Sequence, residues 1–177
     1  MPSGGKWTEI DVAGHPCDLF SPAEPHPHGY TVIYLHGVHL QRLQENDEFT
    51  GQFATEGLSG IAPMPQRSWW TDKSCAEFDE RITAERHVVD NVLGFIEQQW
   101  GVRAPAIGLL GTSMGGQGAL RLAFKHPQLF PVVAAIAPAI DYYLRFDEGA
   151  ETLPLMYEAA EAGREDSATW HWHQLNW

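Results

Sequence analysis

Apolar and polar side chains alternate along Trp7-Thr8-Glu9-Ile10-Asp11-Val12, and Cys17-Asp18-Leu19-Phe20 resumes the alternation beyond the turn residues Ala13-Gly14-His15. Period-two patterning on both sides of a turn predicts an antiparallel hairpin at a sheet edge. After a proline- and histidine-rich loop over residues 22–29, Tyr30-Thr31-Val32-Ile33-Tyr34-Leu35 is nearly continuous in its apolar character. Such a run predicts a strand covered on both faces, here ending at His36-Gly37. Residues 40–57 are predicted helical, with Phe49 and Phe53 spaced to share a buried face, and Ile61-Ala62 lies in a short strand closed by Pro63 and Pro65. A loop carrying Trp69-Trp70 follows. The clearest helix starts at Asp79, where Ile82, Val89, Val92, Leu93, Ile96 and Trp100 mark one stripe and Gly101 is placed to end it. Ala106-Ile107-Gly108-Leu109-Leu110 reads as a buried strand, the segment from Gly115 to Lys125 as a helix stopped by Pro127, and residues 132–137 as another buried strand. Strands alternating with helices predict right-handed crossovers and a mostly parallel sheet with helices on both faces, in one domain spanning residues 1–177.

Between the last two strands lies Gly111-Thr112-Ser113-Met114-Gly115. G-x-S-x-G between a strand and a helix is the context of a nucleophile elbow. The turn is tight enough that side chains two residues either side of the serine would collide, and the serine itself takes a strained backbone conformation. Ser113 is therefore the candidate nucleophile for acyl transfer. The Met114 backbone amide is one candidate oxyanion donor, and the loop after Leu35 is placed to supply a second, with Gly37 letting the backbone turn toward the serine. His36 reads as a structural residue of that loop, because the base in this order of elements follows the nucleophile.

The formal net charge of −12 argues against a nucleic-acid or anionic-membrane partner, and no stretch is long enough to span a bilayer. Cys17 and Cys75 are too few for a disulfide framework or a zinc knuckle. The N-terminus lacks the apolar core of a signal peptide, so a reducing cytoplasm is the expected location. No cofactor or metal is implied. His171-Trp172-His173 would put two histidines on one face of a strand, yet no cysteine or carboxylate cluster accompanies them. Trp69, Trp70, Trp170, Trp172 and Trp177 are candidates to line an apolar acyl pocket, although core packing explains aromatic residues equally well.

The blocks Tyr34-Leu35-His36-Gly37, Arg67-Ser68-Trp69-Trp70, Glu85-Arg86-His87 and, above all, the run from Gly111 to Ala119 resemble α/β-hydrolase-fold esterases related to S-formylglutathione hydrolases and the antigen 85 mycolyltransferases. The segment Phe124-Lys125-His126-Pro127-Gln128-Leu129-Phe130 extends that resemblance. It implies a serine hydrolase of carboxylic esters or thioesters, with Ser113 as nucleophile and the Met114 and Val38 amides as the oxyanion hole. It also implies two further strands bearing the acid and the histidine, whereas here the C-terminal strands are missing. The expectation is an incomplete copy of a longer enzyme, inactive or nearly so by itself. Should the chain be complete, His173 with Asp141 is the pair that satisfies the chain order of a relocated base and acid. Surface histidines and a turn-capping aspartate are the simpler reading of the same residues. A non-catalytic binding homologue and an acyltransferase remain the rival functions, and the oligomeric state is left open.

Overall fold

The computed structural model describes residues 4–146 and 152–175. Among these residues six strands form one sheet in the order β1-β2-β4-β3-β5-β6. The hairpin is β1 (Gly5–Val12) paired antiparallel with β2 (His15–Pro22), joined through Ala13 and Gly14, both at positive φ. β2 runs antiparallel to β4 (Ser59–Pro63), and from there inward the sheet is parallel: β4 with β3 (Thr31–Leu35), β3 with β5 (Ile107–Thr112), β5 with β6 (Val132–Ile136). Chain order reverses direction across the sheet between β3 and β5. In open parallel sheets the crevice beyond the carboxyl ends of the strands at such a switch point is where ligands bind.

The predicted helix over residues 40–57 is two pieces. A single 3₁₀ turn, Leu43–Glu45, precedes α1 (Asp47–Thr55), and Asn46 interrupts them because its side chain accepts the Phe49 amide as an N-cap. Phe53 and Ala54 are buried against Phe20, Tyr34 and Ala62 on one face of the sheet. The other face carries the larger core, in which Ile33, Leu35, Ile107 and Leu109 pack with Val88, Val92, Ile96, Ala119 and Leu122.

The helix expected from Asp79 begins instead at Ala84, with the Thr83 hydroxyl accepting the Arg86 amide. α2 (Ala84–Arg86) runs through a π-helical turn (His87–Val92) into α3 (Leu93–Trp100), and Gly101 at φ 68° ends it as expected. Asp79 cannot start the helix because its carboxylate accepts the Arg81 amide two residues on, a local turn that competes with helix. Its other oxygen pairs with His15 at 3.1 Å, tying the hairpin turn to this loop. α4 (Met114–Lys125) follows β5. β6 is an edge strand, not a buried one, since Val132 and Ile136 are 62% and 41% exposed. Beyond it come a 3₁₀ turn (Tyr142–Arg145), α5 (Leu153–Met156), α6 (Ala160–Glu165) and α7 (Ala168–Gln174). No described helix is long and apolar enough to cross a membrane.

Behind α4 lies a buried ionic cluster that sequence patterning did not anticipate. Arg121 is fully buried and donates to Glu85 on α2 and to Asp166 before α7, the latter at 2.5 Å. Glu85 also takes Lys125 at 2.8 Å and His126 at 2.9 Å, while Asp166 takes Tyr157 at 2.7 Å and His171 at 3.3 Å. Burial opposes ionisation of both carboxyls. Hydrogen bonds and the Arg121 charge outweigh it and hold both below the ordinary carboxylate range. Arg121→Met should therefore leave two carboxylates without their shared cation and destabilise the fold by about 3–5 kcal/mol, read as a shift of the urea midpoint.

A second titratable element is His87, fully buried between Phe78 and His15, with ring centroids 5.6 and 4.7 Å away. Burial, reinforced by His15 and opposed by Asp11, lowers its pKa to about 4. The folded protein thus keeps His87 neutral where the unfolded chain, with an ordinary pKa near ~6.5, takes up a proton. That contribution to stability is complete above pH ~6.5 and is lost as the pH falls toward 4, by on the order of 2 kcal/mol. Urea midpoints measured across that window should fall in the wild type and fall less in His87→Gln; equal slopes would count against the assignment.

Candidate active site

β5 and α4 meet at Ser113, whose backbone sits at φ 55°, ψ −114°, a conformation that costs a non-glycine residue energy and persists only where neighbours enforce it. The enforcing contacts are specific. The Ser113 amide donates to the Ile136 carbonyl at 2.9 Å, and the Ser113 carbonyl accepts from Gln117 and Ala139, both at 3.1 Å. A Cβ on Gly111 would overlap the Gly115 backbone across the turn, and one on Gly115 would overlap the Leu35 carbonyl of β3. Only hydrogen at both positions allows the helix to start this close to the sheet. Ser113 remains half-buried while Met114 to Ala119 are buried beneath it. The helix N-terminus lies at Met114, and its first amides have no intrahelical acceptor.

The loop after β3 comes alongside. A Cβ on Gly37 would stand 3.4 Å from the Ser113 Cβ and 3.3 Å from the Thr112 carbonyl oxygen. His36 is fully buried, and its Nδ1 lies 2.9 Å from the Gly37 carbonyl oxygen. A carbonyl only accepts, so Nδ1 carries the proton. Burial lowers the His36 pKa, with the Gly37 bond acting in the opposite sense, and its Nε2 is buried without a partner among the described residues. The Gly37 carbonyl also accepts the Leu40 amide at 3.0 Å. Two donors thus fix the Gly37 oxygen, and in a trans peptide the Val38 N–H must point the opposite way. Arg42 anchors the far side of this loop to the hairpin through Asp18, buried in β2, and through Glu9 at 2.6 Å.

The downstream candidates are spread out. Asp141 precedes the 3₁₀ turn of Tyr142–Arg145 and accepts the Tyr143 hydroxyl at 3.2 Å. His171 and His173 lie on α7, which corrects the strand reading of His171-Trp172-His173: the Ser167 hydroxyl caps this segment as a helix by accepting the Trp170 amide. Two residues apart on a helix, the histidines do not share a face. His171 is paired with Asp166, and His173 is exposed. Among the described residues no hydrogen bond joins a histidine to Ser113, and no group of three or more potential metal ligands gathers. His126 caps α4 as expected and is also paired with Glu85.

The tryptophans do not form one pocket. Trp69 and Trp70 are core residues, Trp170 lies under the Arg164 guanidinium, and Trp172 packs on Phe124 with 41% of its surface exposed. Trp177 and Asn176 lie outside the described residues. Sequence reading also missed Gln117, whose amide nitrogen donates to the Trp69 carbonyl, and Arg121, which reaches the Trp70 carbonyl at 3.5 Å. A signal existed for Arg121. It falls on the inner face of an otherwise apolar helix, and a buried guanidinium requires anionic partners.

A model of the Putative esterase family matches residues 22–175. No curated protein matches the chain by sequence. Solved structures share the α/β-hydrolase fold. An S-formylglutathione hydrolase from Agrobacterium tumefaciens superposes with a TM-score of 0.63 at 19% identity, covering 81% of this chain and 62% of its own. MPT51 of Mycobacterium tuberculosis gives 0.70 at 17%, covering 90% and 64%, so the chain spans less than two thirds of either protein. FphF, a fluorophosphonate-binding serine hydrolase of Staphylococcus aureus, gives 0.70 at 15%, covering 97% and 73%. With the match extending over most of its length, the chain belongs to the Putative esterase family.

Proposed function

We propose that the protein is a serine hydrolase of small carboxylic esters or thioesters, acting through an acyl-enzyme on Ser113. The observation that carries this reading is the strained Ser113 backbone at the head of α4, with the Gly37 loop against it. Family membership and the serine hydrolase named among the similar folds support it. The Ser113 oxygen attacks the substrate carbonyl carbon and its proton passes to a base, while the carbonyl π electrons move onto oxygen. On this reading the Met114 and Val38 amides donate to that oxyanion. Collapse expels the alcohol or thiol, which takes the proton. Water then attacks the acyl carbon by the same route, releasing the acid and restoring the serine.

The base and its orienting acid are proposed to come from outside these residues. Among the described residues no hydrogen bond joins a histidine to Ser113, and the exposed flank of β6 offers a place for further strands to pair. The rival assignment, His173 with Asp141, makes the opposite forecast for the isolated chain. Fluorophosphonate labelling and p-nitrophenyl acetate turnover should be measured on the 177-residue chain and on a form extended through the downstream reading frame. The extended form should label and turn over, the short form at least about 1,000-fold more slowly, and Ser113→Ala should abolish both in either form. Full activity of the short form would favour His173 and Asp141; no labelling of either form would favour a binding protein.

Val38 supplies a second test. Val38→Pro deletes the amide proton and should lower kcat about 100–1,000-fold, the usual effect of losing one oxyanion donor. Val38→Ala retains the amide and should stay within a few-fold of wild type. Equal effects of the two substitutions would remove Val38 from the oxyanion hole.

A further inference from the structure

Trp69 and Trp70 both sit at positive φ, 54° and 56°, in the middle of a loop and without glycine. Two consecutive bulky residues in the left-handed region are strained and need a structure that over-determines them. That structure is α4. Gln117 donates to the Trp69 carbonyl, Arg121 lies 3.5 Å from the Trp70 carbonyl, and Gly118 leaves room for the Trp70 Cβ, which a side chain there would overlap. The backbone of the turn is thereby held on the same helix whose first residue is Met114.

From that fixed backbone the Trp70 side chain reaches the oxyanion loop. Its Nε1 donates to the His36 carbonyl at 3.1 Å, and its ring stands edge-on to the His36 imidazole with centroids 5.1 Å apart. The next carbonyl along, that of Gly37, is the one oriented by the His36 ring and the Leu40 amide. We propose that Trp70 is a positioning residue that sets the Val38 amide relative to Ser113 and Met114, by linking the nucleophile helix to the loop after β3 through Gln117, the strained Trp69-Trp70 turn and the indole–His36 bond. An oxyanion hole made from two separate segments works only if their spacing is held, and a displacement of about 1 Å can lower a rate about 100-fold. Trp70 supplies a brace with one end on each segment. A tryptophan serving only the core would need any buried acceptor for its N–H. Here the acceptor is two residues before Val38, and the two strained tryptophans are the residues that make the reach.

This inference rests on the assignment of Val38 as an oxyanion donor, and the test separates the two. Trp70→Phe keeps the ring packing and removes the donor; Gln117→Leu releases the turn from α4 at similar volume. In the extended, active form each should lower kcat, Trp70→Phe by about 10–100-fold and Gln117→Leu by less, with KM within about twofold of wild type. Affinity for a boronic acid whose tetrahedral adduct occupies the oxyanion hole should fall in parallel with kcat. A core variant matched for loss of Tm, Ile96→Val, should leave kcat and boronate affinity unchanged. Independently of activity, the Val38 amide signal in a ¹⁵N–¹H spectrum of the 177-residue chain should shift in both variants. Unchanged kcat, losses matched by Ile96→Val, or an unmoved Val38 amide would each overturn the positioning role. A wild type that neither labels nor turns over while its Val38 amide still responds would sink the hydrolase reading and leave the brace standing.

Discussion

The first turn of α4 lies so close to the carboxyl ends of β3 and β5 that hydrogen is the only side chain that fits at Gly111 and Gly115. Much of what is distinctive in this molecule follows from that contact. It forces Ser113 into its strained turn, aims the helix N-terminus at the crevice between β3 and β5, and brings the Leu35 carbonyl against Gly115 and the Gly37 loop against Ser113. Backbone packed against backbone leaves no side-chain freedom to absorb error, so the site inherits the rigidity of the sheet.

Close approach also has to be maintained from behind, because Met114 is the one large apolar side chain buried between Met114 and Ala119. Of the residues from Met114 to Ala119, three are glycine. Further along the helix, Leu122 and Ala123 are buried in the core, and Arg121 supplies ionic contacts to α2 and to the segment before α7. Buried ion pairs are weak evidence for net stability, since desolvation offsets the Coulombic gain. Their value here is directional. The guanidinium fork accepts only a narrow range of α4 orientations relative to Glu85 and Asp166, which suits a helix that must not slide.

The elbow and the sheet pattern were legible because both are local. Strained serine, flanking glycines, preceding strand and following helix fall within the single stretch 107–125, and the hairpin from Trp7 to Phe20 is set by alternation around one turn. What escaped the sequence depends on partners far apart in the chain. Arg121, Glu85 and Asp166 are separated by 36 and 45 residues, and nothing in the vicinity of any one of them names the others. Asp79 looked like a helix start because aspartate is a favoured cap, but the same side-chain oxygens served a local turn and His15. The histidines near the end of the chain misled for a different reason. Their i, i+2 spacing fits one face of a strand, whereas the cap at Ser167 and the contacts of α7 with α4 make the segment a helix.

Ser113 depends on the most open part of the sheet. Both peptide groups of Ser113 are bonded toward the segment around β6: its N–H to Ile136, and its carbonyl from Ala139 as well as from Gln117. Yet among the described residues β6 pairs with a strand along one side only, and Val132 and Ile136 face solvent. An edge strand of this kind opens more readily than a central one, because fewer bonds and less buried surface resist local unfolding. When β6 loosens, Ser113 loses two of the three hydrogen bonds that enforce its positive φ, and relaxation of the turn removes the strain that presents its hydroxyl. Pairing along the other side of β6 would therefore act on Ser113 without touching it, by holding the strand against which the elbow is strained. The rigid half of the site, the α4–Trp70–His36 brace, and the labile half, the β6 contact, meet at a single residue.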